Sequence, residues 1–553
     1  MVVTKHEDRT GVMQQTLRKY RCDVAALGFG VMIGLFVAGA AVAQTGAADV
    51  EAGKALYTQR CAHCHGERGD GKGAATEVVS PKPRDFTSGL YKFRTRHETT
   101  DGNKMPADED IARSIREGLH GTSMPGWANV FTAQHIGQLV QYIKTFADVF
   151  KEDTPGAPIN FGNEVASSPE SIAKGKELFV KTFECHTCHG TAGRGNGQRA
   201  IEGLEDDWGE RIWPANLTKP WTYRGGHGRR DIFRNIALGI TGTPMPAFAD
   251  PDPFNLADIT DPQEKKEAEA QARALREDFW HTVNYVQSLW TAPEEPQVKS
   301  VLVAKRLQGP VPTSLDAAEW KDVPVNYYPL VGQVIEDPRL FAPMIVGVDI
   351  QAVHNDKEVA FRLVWDDRTE SKPGGEGEKQ TYVDAIALQF PATPLQGSER
   401  PYFLMGDSAH PTDLWYWRND PGTAVLVQTT GSKSFQPGEN TGGITSHGEV
   451  DKDGGGQYRV VMRRALKTPN PAKEMQFTVG AFQPFSLTAW DGDNGEHGGG
   501  KRTVMAWYNL YLEPEPSRAP IYLTVAGIVV GLVLQFSALY MTQKNHGPHA
   551  TQG

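Results

Sequence analysis

Cys61-Ala62-His63-Cys64-His65 is the stretch on which the reading of this chain turns. Two thiols three residues apart can each add across a vinyl group of one haem, and the histidine directly after them can swing under the iron. The pattern recurs as Cys185-His186-Thr187-Cys188-His189. Two covalent haems c are therefore expected, on Cys61 and Cys64 and on Cys185 and Cys188, with His65 and His189 as proximal iron ligands. A thioredoxin-type reading of C-x-x-C fails, because neither copy follows a βαβ pattern and both carry the trailing histidine. His63 and His186, inside the motifs, are expected to face solvent.

The surroundings repeat with the motif. Gly53-Lys54-Ala55-Leu56-Tyr57 returns as Gly175-Lys176-Glu177-Leu178-Phe179, and Pro83-Arg84-Asp85-Phe86-Thr87 as Pro214-Ala215-Asn216-Leu217-Thr218. Phe93-Arg94 returns as Tyr223-Arg224, and Gly121-Thr122-Ser123-Met124-Pro125 as Gly242-Thr243-Pro244-Met245-Pro246. Parallel order of this kind is duplication, and it marks Met124 and Met245 as the distal iron ligands. Met105 has no counterpart and reads as a surface loop residue. Val50–Gln59 is expected to be a short helix leading into the first motif. A closing helix is expected over Gln134–Phe146, capped by Thr132, with Ile136, Leu139, Val140 and Ile143 along one face. Helix, C-x-x-C-H, methionine loop and closing helix together resemble class I cytochrome c, over residues 50–149 and again over 169–291. Residues 150–168 between them lack periodicity and read as a linker. Gln263–Asp278 reads as a solvated charged helix inserted before the second closing helix. Arg94 and Arg224 suit either haem propionates or ordinary surface salt bridges.

At the amino end, Lys5, Arg9, Arg18, Lys19 and Arg21 precede an apolar run from Val24 to Val42 and an Ala41-Val42-Ala43 cleavage pattern. Residues 1–43 read as a signal peptide cut before Gln44, with an uncleaved anchor as the rival. At the other end, Ile521–Met541 carries no charged residue and would be about 31 Å long as a helix, enough to cross a bilayer. The haem domains are then expected on the periplasmic side. A net charge of −10 and the lack of a basic run exclude a nucleic-acid partner. Four of the five cysteines lie in the haem motifs, and Cys22 falls in the leader, so no structural disulfide is expected.

From about 300 to 513 the helical period disappears. Short β-type runs at Met344–Val353, Glu358–Trp365, Tyr382–Phe390, Thr423–Thr429, Tyr458–Arg464, Met475–Gly480 and Thr503–Leu512 predict an all-β sandwich or barrel. Trp365, Trp415, Trp417, Trp490 and Trp507 supply its interior or a bound ring.

Val364-Trp365-Asp366-Asp367, Asp384–Pro391, Met405-Gly406 with Leu414-Trp415-Tyr416-Trp417, Ala489-Trp490-Asp491-Gly492, and Lys501 ahead of Ala506-Trp507-Tyr508 resemble the haem b subunit of ethylbenzene dehydrogenase and dimethylsulfide dehydrogenase. The resemblance implies a β-sandwich holding one non-covalent haem b between a methionine and a lysine, which by motif are Met405 and Lys501. An amine ligates iron only when deprotonated, which burial and the metal both favour. His410, His447, His497 and Met505 are the rival ligands. The resemblance also implies an iron–sulfur subunit and a molybdenum subunit of the dimethyl sulfoxide reductase group as partners, with other respiratory cytochromes beyond them. Fusion to two c-type domains and an anchor looks more like the cytochrome subunits of nitrite oxidoreductase or nitrate reductase systems.

Taken together, the chain is expected to be a multidomain, membrane-tethered electron-transfer subunit with two haems c and one haem b. Catalysis is expected on a partner, since no nucleophile–base pair, carboxylate dyad or metal–water centre stands out. Two other classes remain open. A di-haem peroxidase would need a displaceable distal ligand, and a di-haem cytochrome could carry a haem-free β-sandwich that binds a surface or carbohydrate.

Overall fold

A computed structural model describes residues 38–545, apart from 100, 250–255, 257–258, 378–379, 452–454 and 518. The basic leader and most of the apolar run Val24–Val42 lie outside the described residues. Within them the order is a helical repeat, then strands, then one apolar helix.

The first helical unit has α1 (Ala38–Arg60), α2 (Asp108–Glu117) and α3 (Ala133–Lys144). α1 is longer than the expected Val50–Gln59 and begins ahead of the expected cleavage site. The Thr132 hydroxyl accepts from His135 N to start α3, and Ile136, Leu139, Val140 and Ile143 are all buried. The second unit has α4 (Pro169–Glu177), α5 (Arg229–Leu238) and α6 (Pro262–Ser288). The charged stretch Gln263–Asp278 does not form a helix separate from α6. It is simply a solvated extension of the closing helix, begun by Asp261 accepting from Gln263 N and Glu264 N.

Each first helix crosses its closing helix at a glycine. A Cβ on Gly53 would stand 2.0 Å from Gln138 O, and one on Gly175 would stand 2.0 Å from His281 O. Only glycine permits that approach, and it seats Tyr57 beside Tyr142 at 5.3 Å and Phe179 beside Tyr285 at 5.2 Å. The aperiodic segment between the units is tied to both. Ile159 N donates to Thr95 O, and Trp280 Nε1 donates to Phe161 O. Met105 is a correction: it is 2 % exposed and belongs to the core, not to a surface loop.

The β domain comprises β1 (Val301–Arg306), β2 (Asn326–Pro329), β3 (Gly347–His354), β4 (Glu358–Asp366), β5 (Ala385–Pro391), β6 (Thr412–Arg418), β7 (Ala424–Thr429), β8 (Thr445–Val450), β9 (Gln457–Ala465), β10 (Phe482–Trp490), β11 (Thr503–Val504) and β12 (Tyr508–Leu512). The ladder runs β7-β6-β5-β10-β12-β1-β3-β4-β9-β8, with β12–β1 and β1–β3 parallel and the other pairs on this path antiparallel. β10 belongs to both faces of the sandwich. Phe482–Phe485 pair with β12, and Ser486–Trp490 pair with β5. Alternate residues of the two sheets meet between them: Ile350, Phe361, Leu363 and Trp365 pack against Ile386, Leu388, Phe390, Trp415 and Trp417.

Met475–Gly480 is not a strand. Asp413 Oδ2 accepts from Met475 N, and the Gln483 amide bonds both Thr478 N and Thr478 O, so side chains satisfy the backbone that a ladder would otherwise claim. The last helix, α7 (Ala519–Asn545), contains Tyr522–Thr542, which is long and apolar enough to cross a membrane.

Candidate haem sites

In the first unit α1 runs into a one-turn helix, Ala62–His65, which ends where Gly66 takes φ +77°. Tyr57 Oη donates to Gly66 O at 2.8 Å and fixes that corner. His65 Nδ1 lies 3.1 Å from Arg84 O, and a carbonyl can only accept. The proton therefore sits on Nδ1, leaving the Nε2 lone pair available to a metal. Burial holds the imidazole below its ordinary pKa, partly offset by that hydrogen bond, so the ring is neutral as a ligand must be. Phe86 stacks on the ring at 4.5 Å. The second unit repeats the arrangement: His189 Nδ1 lies 3.0 Å from Ala215 O, and burial again lowers its pKa. The proximal carbonyl was missed from sequence, although the repeated Pro83-Arg84 and Pro214-Ala215 pairs carried the signal.

Cys61, Cys64, Cys185 and Cys188 are half-buried free thiols. Burial pushes Cys61 up to about 11 and Cys185 to about 12, which keeps both protonated. His63 is exposed as expected, whereas His186 is half-buried with Nδ1 shielded from solvent.

The methionine loops are superimposable in their bonding. Thr122 Oγ1 accepts from Met124 N at 3.1 Å, and Leu119 N donates to Met124 O at 3.0 Å. In the other loop Thr243 Oγ1 accepts from Met245 N at 3.2 Å, and Ile240 N donates to Met245 O at 3.3 Å. Both loops leave a helix through a glycine in the left-handed region, Gly118 at φ +72° and Gly239 at φ +63°. A Cβ on either would stand within 2.8 Å of the methionine carbonyl oxygen.

In the β domain Met405 is wholly buried and takes φ +68°. A left-handed methionine costs about 1–2 kcal/mol, and such outliers persist where surrounding structure and function require them. Its carbonyl accepts from Gly431 N at 2.8 Å. The neighbouring Ser432 hydroxyl donates to Leu404 O at 3.2 Å and lies 3.1 Å from Arg502 Nη2, which donates to it. Gly499 packs so tightly on Ser432 that a Cβ would lie 1.9 Å from its carbonyl oxygen. One turn, Gly431-Ser432, thus joins the loop of Met405 to the loop of Lys501. Lys501 is half-buried, and its Nζ donates to Asn494 O at 2.6 Å. Trp490, Tyr416, Val427 and Leu414 cluster with Met405 on the outer face of the sheet. The residues present offer a thioether beside aromatic and aliphatic side chains and, on the adjoining loop, an amine, donor types that suit a haem iron.

Three family models match in series: cbb3-type cytochrome c oxidase subunit III over 48–143, cytochrome c over 172–290 and ethylbenzene dehydrogenase over 318–453. The chain carries two cytochrome c domains and an ethylbenzene dehydrogenase domain. It is 28% identical over 257 residues, 46% of its own length and 86% of the relative's, to a Haloferax mediterranei protein whose name describes a respiratory nitrate reductase haem subunit. It is 27% identical over 218 residues to the chlorate reductase subunit gamma of Ideonella dechloratans, covering 39% of this chain and 86% of that one. A solved reducing HAO-like protein complex of Kuenenia stuttgartiensis shares 33% identity over 44% of this chain and 96% of its own, with a TM-score of 0.37. Cytochrome c domains take covalent haem c, and ethylbenzene dehydrogenase domains of this kind take haem b.

The rival ligands in the ethylbenzene dehydrogenase domain are placed for other work. Met505 is buried in the main core between the sheets, and His447 is exposed on the edge strand β8. His410 faces Asp407 and Glu399, and His497 stacks on Tyr382 at 3.8 Å.

The domains meet at the segments that carry these candidate sites. Arg84, whose carbonyl accepts the His65 hydrogen bond, lays its guanidinium over Trp208 of the second cytochrome c domain at 4.3 Å. Arg94 is not at the surface. It is 2 % exposed and donates to Leu238 O and Thr241 Oγ1, against the second methionine loop. The Arg113–Asp231 pair, bonded at 2.5 and 3.0 Å, closes the same interface. On the far side, Asn216, next to the carbonyl that accepts the His189 hydrogen bond, donates to Asp366 of the ethylbenzene dehydrogenase domain. Lys219 pairs with the same carboxylate at 2.6 Å.

Proposed function

We propose that this chain is a membrane-tethered electron-transfer subunit carrying two haems c and one haem b. It would pass electrons between the iron–sulfur subunit of a molybdenum enzyme and the respiratory chain, while substrate chemistry stays on the partner. The observation that carries this reading is the contiguity of the pockets. The proximal segment of the first cytochrome c domain touches the distal loop of the second, and the proximal segment of the second touches the ethylbenzene dehydrogenase domain. Iron in such pockets would exchange one electron at a time between its ferric and ferrous forms.

In this reading His65 and Met124 hold the first haem c iron, His189 and Met245 the second, and Met405 and Lys501 the haem b iron. Cys61, Cys64, Cys185 and Cys188 form the thioethers. Two protein ligands on every iron leave no open position for substrate, which favours electron transfer over peroxide turnover. Methionine ligation holds the c haems at comparatively high potential. The nitrate and chlorate reductase relatives favour an oxyanion enzyme as partner, with nitrite–nitrate chemistry as the finer reading. Tyr522–Thr542 is the anchor, and the haem domains stand on the periplasmic side.

The test is a pyridine haemochrome spectrum of the purified protein, with acid–acetone extraction to separate covalent from free haem. Two haems c and one extractable haem b are expected per chain. Met405→Ala and Lys501→Ala should lose the extractable haem while keeping both covalent ones. Absence of extractable haem from the folded wild-type chain would sink the haem b assignment.

A further inference from the structure

Among the described residues, three carboxylates lie close enough to share an ion. Asp367, Asp384 and Asp491 each offer an oxygen within 4.8 Å of the others. They are 3 %, 0 % and 4 % exposed, and they come from three strand ends gathered at one edge of the sandwich. Asp367 follows β4, Asp384 precedes β5 and Asp491 follows β10.

Their hydrogen bonds account for only part of their capacity. Asp384 accepts from Gly492 N at 2.8 Å, from Ser371 N at 2.6 Å and from Tyr458 Oη at 2.6 Å. Asp491 Oδ1 accepts from Asn494 N at 3.1 Å. Asp367 Oδ1 takes Thr369 N at 3.2 Å, but Asp367 Oδ2 is buried with no hydrogen-bond partner. A carboxylate oxygen shut from water, without a donor and beside two further carboxylates, is strongly unfavourable unless positive charge reaches it. The neighbouring Arg368 acts on Asp491 and Asp367 through space, but it hydrogen-bonds neither: one guanidinium nitrogen turns to Met344 Sδ at 3.5 Å and the group lies over the Trp213 ring at 5.4 Å.

Oxygen ligands stand about 2.3–2.6 Å from calcium, so two on opposite sides of one ion are about 4.8 Å apart. The spacing of the three aspartates fits within that span. An all-oxygen donor set with no histidine or cysteine selects a hard cation over zinc or copper.

We propose that Asp367, Asp384 and Asp491 bind one divalent cation of the calcium type, which pins the root of the Asp491–Lys501 loop to the ends of β4 and β5. The loop is already organised around Asp491. Glu496 Oε2 accepts from Asp491 N, and the Asn494 amide donates to Glu496 Oε1. Asp366, adjacent to the site, receives Lys219 from the second cytochrome c domain. The ion therefore stands between that docking surface and the loop that carries Lys501.

The test uses the full chain with its haems, in detergent. Metal content is read by plasma mass spectrometry after dialysis in metal-free buffer with and without EGTA, and thermal unfolding is followed with calcium chloride added back. One calcium per chain is expected, removable by EGTA, with a fall in Tm that calcium reverses and sodium chloride at equal ionic strength does not. Asp367→Asn keeps the shape and the Thr369 bond, and should weaken calcium binding on the order of tenfold or more. A wild-type chain with no stoichiometric divalent metal and a Tm indifferent to calcium would overturn the proposal, leaving three carboxyls that share protons. Undiminished calcium in both Asp367→Asn and Asp491→Asn would overturn the placement.

Discussion

Replacing Lys219 by methionine removes the cation from a carboxylate that cannot return to water. The Lys219 and Asp366 side chains are 13% and 15% exposed, and their charged atoms stand 2.6 Å apart. Stripping one partner from a buried pair costs about 3–5 kcal/mol. Asp366 would keep Asn216 Nδ2 at 3.0 Å, Gln457 Nε2 at 3.2 Å and Arg194 Nε at 3.7 Å, which brings the cost below that range, to roughly 2–3 kcal/mol. That weakens docking of the second cytochrome c domain on the ethylbenzene dehydrogenase domain by ~30- to 150-fold. Hydrogen–deuterium exchange of peptides covering 194–219 and 366–368, which the contact holds together, reads that ratio when opening is fast relative to exchange. Asp366→Asn completes a double-mutant cycle, and the double variant should open less than the sum of the single ones. A change below about twofold in Lys219→Met, or a coupling energy near zero, would refute the reasoning. The pH dependence has a definite sign. Burial alone would raise Asp366, but Lys219 outweighs it and the carboxyl lies below its ordinary value, so its contribution disappears only as pH falls through that depressed value. Burial alone would lower Lys219, but Asp366 holds it above its ordinary value, so its contribution disappears only as pH rises through that raised one. The contribution of this pair should be flat from about pH 5 to 10.

Gly239→Ala places a Cβ 2.7 Å from Met245 O at φ +63°. It should cost about 2–4 kcal/mol and weaken the methionine–iron charge-transfer band of one haem c, whereas Gly137→Ala, on an open helical face, should gain about 0.5–1 kcal/mol in a urea melt. Glu496 is pushed up to about 8, by burial first and Asp491 second. A raised acid disfavours its charged form in the fold, so stability of the ethylbenzene dehydrogenase domain should fall as pH rises from about 4.5 to 8, and Glu496→Gln should flatten that slope in thermal melts. Truncation after Glu513 should release the chain from membranes without loss of haem, checked by fractionation without detergent.

The cytochrome c domains were legible because covalent attachment demands two thiols and a histidine at fixed spacing, and duplication then exposed the methionine loops. Gly118 and Gly239 stood in the same repeat, but their role depends on a left-handed exit that only the folded loop displays. β10 escaped the strand pattern because Pro484 interrupts it, and Pro484 lies where the strand changes sheets, opposite Asn509. Met475–Gly480 had strand composition, yet Asp413 and Gln483 satisfy its backbone from elsewhere. The aspartate cluster was illegible in principle, since Asp367 and Asp491 become neighbours only through the sheet. The burial of Arg94 was illegible for a similar reason, because Leu238 and Thr241, to which it donates, belong to another domain.

β1 and β12 lie side by side in parallel, Val301–Ala304 against Asn509–Leu512, so the first strand of the ethylbenzene dehydrogenase domain is zipped to its last. A chain emerging from its amino end therefore presents two complete cytochrome c sequences while this domain still lacks its closing strand. That domain must wait, with apolar strands unpaired, until Leu512 emerges. Folding is ordered by topology: the cytochrome c domains can finish first, and the sheet flanked by the loops of Met405 and Lys501 closes last, just ahead of the apolar helix α7.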